Sequence, residues 1–64
     1  MSAEDLKNQG NAALKSGNIK EAIELYGNAI SKDSTNKVFY SNRSAAYMKA
    51  EEYRSALRYG SVIL

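Results

Sequence analysis

Slid against itself by 34 residues, the sequence pairs Leu6 with Tyr40, Asn8 with Asn42, Gly10 with Ser44, Ala12 with Ala46, Ile19 with Tyr53, Ala22 with Ala56 and Ile30 with Leu64. A chain of 64 residues therefore holds one whole period and most of a second. Within the first period the apolar residues recur at helical spacing: Leu6, Gly10, Ala13 and Leu14 make a narrow stripe, and Ile19, Ala22, Ile23, Tyr26, Ala29 and Ile30 a wider, more deeply buried one. Ser2 is placed to cap the first helix, with Asp5 as an imperfect capping-box partner. Gly17-Asn18 ends that helix, because glycine adopts the left-handed conformation without steric cost, and Asn18 with Glu21 is expected to cap the next.

The second period repeats the plan. Asp33-Ser34-Thr35-Asn36 is a run of turn and cap formers, so the second helix is expected to end near Lys32 and a third to begin near Lys37. The third carries Val38, Tyr40, Ser44, Tyr47 and Met48, with Tyr26, Tyr40, Tyr47 and Tyr53 all expected in the core. A break at Glu51-Glu52 and a fourth helix through Tyr53, Ala56, Leu57, Gly60, Ile63 and Leu64 complete the pattern. The expectation is an all-α chain of four antiparallel helices, two helical hairpins forming about two repeats of an α-solenoid. Residues 1–64 read as one partial domain, with repeat one over about 3–36 and an incomplete repeat two over 37–64. Gly10 and Ser44 are expected to let the first helix of each hairpin approach the second, against Ala22 and Ala56.

Composition narrows what such a chain can do. It has no cysteine, histidine, proline or tryptophan, so a disulfide framework, an ordinary zinc site and His- or Cys-based catalysis are excluded, and no cofactor is expected. Glu4, Asp5, Glu21, Glu24, Asp33, Glu51 and Glu52 fall near helix starts, turns and outer faces, with no nucleophile and base at a matching spacing; an enzyme is not expected. The net charge of +2 is spread along the chain and forms no basic stripe for nucleic acid. No apolar run approaches the ~18 residues of a membrane span, and the acidic start Met1-Ser2-Ala3-Glu4-Asp5 is unlike a signal peptide, so a cytoplasmic protein is expected.

A 34-residue helix-turn-helix period with small residues at fixed places resembles the tetratricopeptide repeat. The resemblance extends to Leu6-Lys7-Asn8-Gln9-Gly10-Asn11-Ala12-Ala13, Gly17-Asn18, Ala22-Ile23, Tyr26, Ala29-Ile30 and the run Phe39-Tyr40-Ser41-Asn42-Arg43-Ser44-Ala45-Ala46-Tyr47. These are similar to the first repeat domain of the Hop, or stress-inducible, family of co-chaperones. That resemblance implies a concave groove that grips the C-terminal Glu-Glu-Val-Asp tails of seventy- and ninety-kilodalton heat-shock chaperones. It assigns Lys7, Asn11 and Asn42 to a carboxylate clamp, and Leu14, Ala45, Met48 and Lys49 to the floor and edge of the groove.

The residue chemistry agrees with this assignment. Lys7 and Asn11 lie four apart and share a helix face, offering one ammonium and one amide to the same place. Taken alone, such a pair is most often a solvated helix face; its coincidence with Asn42 at the matching repeat position is what reverses that reading. Arg43 sits about 100° around the helix from Asn42 and is expected to pack between repeats or pair with a glutamate. The family completes its clamp with a basic pair from a third repeat, which this sequence does not contain, so tail binding is expected to be millimolar or weaker. Ser34 stands where the repeat usually has proline and Glu51 where it often has glycine. Uncovered helix faces around the last hairpin also imply self-association, and a minimal or engineered self-associating scaffold without tail binding is the alternative function.

Overall fold

Ser2 begins the first helix with both halves of a capping box: its Oγ accepts from the Asp5 N–H at 3.1 Å, and Asp5 Oδ2 accepts from the Ser2 N–H at 3.3 Å. The computed structural model describes the backbone of residues 1–63 and the side chains of residues 1–54. Helix α1 spans Ala3–Lys15, with Glu4 and Asp5 in its first turn and Lys15 in its last, the arrangement that complements the helix dipole. It closes through two bonds, from the Gly17 N–H to the Leu14 carbonyl at 3.1 Å and from the Asn18 N–H to the Ala13 carbonyl at 2.8 Å. This is a Schellman motif, and Gly17 supplies the left-handed residue it needs, with φ of 87°.

Helix α2 spans Ile19–Lys32. Asn18 does not cap it with its side chain, contrary to the sequence expectation. The reason is local: Asn18 completes the closure of α1, and its ψ of 70° departs from the extended conformation that aims a capping side chain at the next turn. After α2, Asp33 Oδ1 accepts from both the Thr35 N–H at 3.3 Å and Thr35 Oγ1 at 2.7 Å, which holds the turn where proline is usual. Asn36 Oδ1 then accepts from the Val38 N–H at 2.9 Å and starts the next helix.

Helix α3 spans Lys37–Ile63 without interruption. The break expected at Glu51-Glu52 is absent, so the described residues form three helices and not four. Lys49-Ala50-Glu51-Glu52 are good helix formers, and no glycine or proline among them offers a stop. Glu51 accordingly avoids the left-handed conformation; no residue other than Gly17 has positive φ among those described.

The helices meet in two apolar clusters. Leu6, Ala29 and Phe39 form one, flanked by Ala3, Leu25 and Ile30. Ala13, Ala22, Tyr26 and Ala46 form the other, flanked by Leu14, Ile23 and Leu25. Each cluster takes residues from all three helices, so α3 docks on the α1–α2 hairpin through Phe39 and Ala46. The buried stripe of α3 is thus Phe39, Ala46 and the half-buried Asn42, Arg43 and Ala50. Val38, Tyr40, Ser44, Tyr47 and Met48, read from the sequence as its apolar face, are exposed. Of the four tyrosines expected in the core only Tyr26 is buried; Tyr40, Tyr47 and Tyr53 are 42%, 55% and 54% exposed. Because α3 runs straight on, no returning helix covers that side among the described residues.

The close approach predicted at Gly10 is present, but its partner differs. A Cβ on Gly10 would lie 2.5 Å from Tyr26 Cε1 and 2.7 Å from Cδ1, so the residue received there is the Tyr26 ring and not Ala22. Ser44 is exposed and plays no such part. Ala56, Leu57, Gly60, Ile63 and Leu64, to which the sequence assigns packing roles, lie outside the residues whose side chains are described.

Candidate functional site

Helix α1 carries the first two candidate residues one turn apart. Lys7 is drawn along the helix surface, its side chain only 19% exposed, and its Nζ meets Glu4 Oε1 at 2.6 Å. This is an ordinary i,i+3 helix pair with a more exposed partner, and it shows that the ammonium sits where a carboxylate reaches it. Asn11 is exposed, yet its amide is held: Tyr26 Oη, across the α1–α2 interface, donates to Asn11 Oδ1. The amide nitrogen makes no bond to a described residue, which leaves two donors open on the outer surface.

Tyr26 is wholly buried and its hydroxyl is pushed above the ordinary value of 10.0, because burial would strip water from a phenolate. Like any tyrosine it keeps its proton at neutral pH, which leaves it able to donate to Asn11. Leu14, three residues beyond Asn11, is half-buried against the cluster that contains Tyr26 and Ala46. Lys7, Asn11 and Leu14 thus follow one row along α1 that ends beside α3.

Helix α3 supplies the rest. Asn42 is half-buried one turn before Ala46, on the stripe that docks against the hairpin. It forms no side-chain hydrogen bond with a described residue, and so is not bonded to Lys7 or Asn11. Ala45 and Met48 are exposed, and Lys49 pairs loosely with Glu52 at 3.6 Å. Asn42, Ala45 and Lys49 follow i, i+3, i+7 spacing and share a side of α3, with Met48 at its margin. Arg43 pairs with no glutamate among the described residues; its guanidinium lies 5.6 Å from the Tyr40 ring centre, a cation–π contact within its own helix.

Two contributors were missed by sequence reasoning. Glu4 was read only as a helix-start residue, although its i,i+3 spacing to Lys7 was visible. Tyr26 was read only as core; nothing in a helical period points to a hydroxyl reaching a residue 15 positions earlier. Among the described residues no cluster of three or more Asp, Glu, His or Cys side chains could hold a metal ion, and no helix is long and apolar enough to cross a membrane.

A family profile for the tetratricopeptide repeat matches residues 3–36, more than half of the sequence. The chain belongs to the tetratricopeptide repeat family, whose repeats are non-enzymatic protein-interaction modules. It is 55% identical over 49 residues to serine/threonine-protein phosphatase T of Schizosaccharomyces pombe, a match covering 77% of this chain and 10% of that protein. It is 45% identical over 56 residues to the heat shock protein sti1 homolog of the same yeast, covering 88% of this chain and 10% of the relative. Hsp70-Hsp90 organizing protein 3 of Arabidopsis thaliana is 46% identical over 55 residues, covering 86% of this chain and 10% of its own length. The chain therefore spans about a tenth of these relatives. No solved structure matches it.

Proposed function

We propose that the chain is a tail-binding module of a cytoplasmic co-chaperone, in which Lys7, Asn11 and Asn42 receive the terminal carboxylates of an acidic peptide. The residues fall in two repeats, about 3–36 and an incomplete 37–64, and the partners are the Glu-Glu-Val-Asp ends of seventy- and ninety-kilodalton heat-shock chaperones. The observation that carries this reading is the Lys7–Asn11 row: an ammonium already engaged by a carboxylate, one turn from an amide whose two N–H groups are open. Likeness to the Arabidopsis and yeast proteins above supports the choice of partner. Leu14, Ala45, Met48 and Lys49 form the floor and edge on which the apolar part of the tail rests, methionine adapting its shape to it.

Held by Lys7, Asn11 and Asn42 alone, a tail binds with millimolar or weaker affinity, a range for a nuclear magnetic resonance titration. Titration of ¹⁵N-labelled chain with the free-acid peptide should move the α1 resonances around Lys7 and Asn11. The C-terminally amidated peptide and the Lys7→Ala variant should respond several-fold more weakly. Equal responses in all three remove the clamp assignment.

A second reading, self-association, is favoured by the open groove between α2 and α3, where Ile23, Tyr47, Ala50 and Tyr53 lie among the charged Lys20, Glu21, Glu24 and Arg54. A second copy that packs there would cover Tyr47 and Tyr53. Sedimentation showing a folded monomer at high micromolar concentration excludes it.

A further inference from the structure

Asparagine is an ambiguous ligand for a carboxylate. Its amide presents oxygen and nitrogen at nearly the same positions, and only the nitrogen side attracts an anion, whereas the oxygen side repels it. An exposed, unrestrained asparagine samples both orientations. Asn11 is exposed but not unrestrained, since Tyr26 Oη donates to its Oδ1 from the neighbouring helix.

The donor is itself fixed. The Tyr26 ring is wholly buried among Ala13, Ala22 and Ala46, and Gly10 leaves it a slot with no room for a single added carbon. Neither the ring nor its hydroxyl can swing away while α1 and α2 stay packed.

We propose that Tyr26 is the positioning residue of the carboxylate site: its hydroxyl locks the Asn11 amide with Oδ1 inward and the two Nδ2 hydrogens outward, toward the ligand beside Lys7. Tyr26 never touches the peptide; it acts through Asn11. The inference rests on the tail-binding reading for its consequence, but the orientation it describes exists in the free chain. With an ordinary pKa of about 10, which burial moves further up, the Tyr26 hydroxyl stays protonated throughout the physiological range.

The test is a double-mutant cycle of Tyr26→Phe and Asn11→Ala read by nuclear magnetic resonance, with the free-acid tetrapeptide Glu-Glu-Val-Asp as the probe. Tyr26→Phe keeps the ring in its slot and removes only the hydroxyl. The Asn11 side-chain amide resonances should move in the free Tyr26→Phe variant, and its dissociation constant should rise roughly two- to tenfold, the range of one hydrogen bond. In the Asn11→Ala background the same substitution should leave the dissociation constant unchanged. A purely structural role for Tyr26 would weaken binding equally in both backgrounds, and that result overturns the proposal. Unmoved Asn11 amide resonances in free Tyr26→Phe overturn it as well. If the parent chain gives no peptide response while the amide resonances do move, the tail-binding reading fails and the amide lock stands alone.

Discussion

Gly10→Ala sets two effects of known size against each other. Replacing a helix-interior glycine by alanine gains about 1 kcal/mol in helix propensity. Against this, the new Cβ would stand 2.5, 2.7 and 3.2 Å from three atoms of the Tyr26 ring, where carbon atoms in contact rest ~3.5–4.0 Å apart. Relief requires about 1 Å of separation, and the ring cannot provide it: it is wholly buried and tied at Oη to Asn11. The α1–α2 interface must open instead, so the cost belongs at the upper end of the ~1–3 kcal/mol range of overpacking. The net expectation is a loss of about 1–2 kcal/mol, or roughly 4–16 °C in Tm for a chain of this size. Gly27→Ala is the internal control, because a Cβ there meets nothing within 4 Å and should stabilise the half-buried middle of α2 by up to about 1 kcal/mol. Thermal and urea denaturation followed by circular dichroism measure both. If Gly10→Ala is as stable as the parent or more stable, the close packing at Tyr26 is wrong.

The remaining predictions concern pH and charge. The folded-state pKa of Tyr26 lies above its ordinary value of 10.0, so its contribution is fully present below pH ~10 and is lost as pH rises through the raised value. The urea midpoint of the parent should therefore fall more steeply above pH ~10 than that of Tyr26→Phe, while between pH 7 and 9 neither should show a slope from this group; parallel alkaline curves would contradict the burial of the hydroxyl. Glu4→Gln removes the carboxylate that engages Lys7 at 2.6 Å. An exposed pair of this kind is worth roughly 0.2–1 kcal/mol, so the free-acid peptide should bind about 1.4- to 5-fold more tightly, and weaker binding would show that Glu4 aids the site instead of competing for it.

The first hairpin was legible in the sequence because its signals are local. Ser2 with Asp5 closes within three residues, Gly17 fixes a left-handed turn by itself, and Asp33 to Asn36 form a turn out of their own side chains. Lys7 and Asn11 share a face by spacing alone. The second hairpin depends on what is not local. Tyr40, Tyr47 and Tyr53 read as core because repeat positions assume a partner helix, and along a continuous α3 that partner does not fold back. The face of α3 was misread for a related reason. Its apolar side chains ring the helix, so the period alone could not tell Phe39 and Ala46, which are buried, from Val38 and Tyr47, which are exposed. Asn18 failed as a cap because the closure of α1 had already fixed its backbone.

Tyr26 joins the two halves of this molecule, and its position explains why folding and recognition are hard to separate here. Its ring fills the space left by Gly10 and by the small residues Ala13, Ala22 and Ala46, so all three helices are registered against one side chain. Its hydroxyl emerges at the edge of that same packing and meets Asn11. Small residues at these positions therefore do more than permit close approach: they set the depth of the ring, and the depth of the ring sets the reach of the hydroxyl. A substitution that opens the α1–α2 interface by an ångström must withdraw the hydroxyl from Asn11 by a comparable distance, which is enough to break a hydrogen bond. Gly10→Ala should therefore disturb the site as well as stability, Tyr26→Phe should disturb the site while keeping the ring, and Gly27→Ala should change stability alone. Those three patterns distinguish an amide held by the core from one that merely lies beside it.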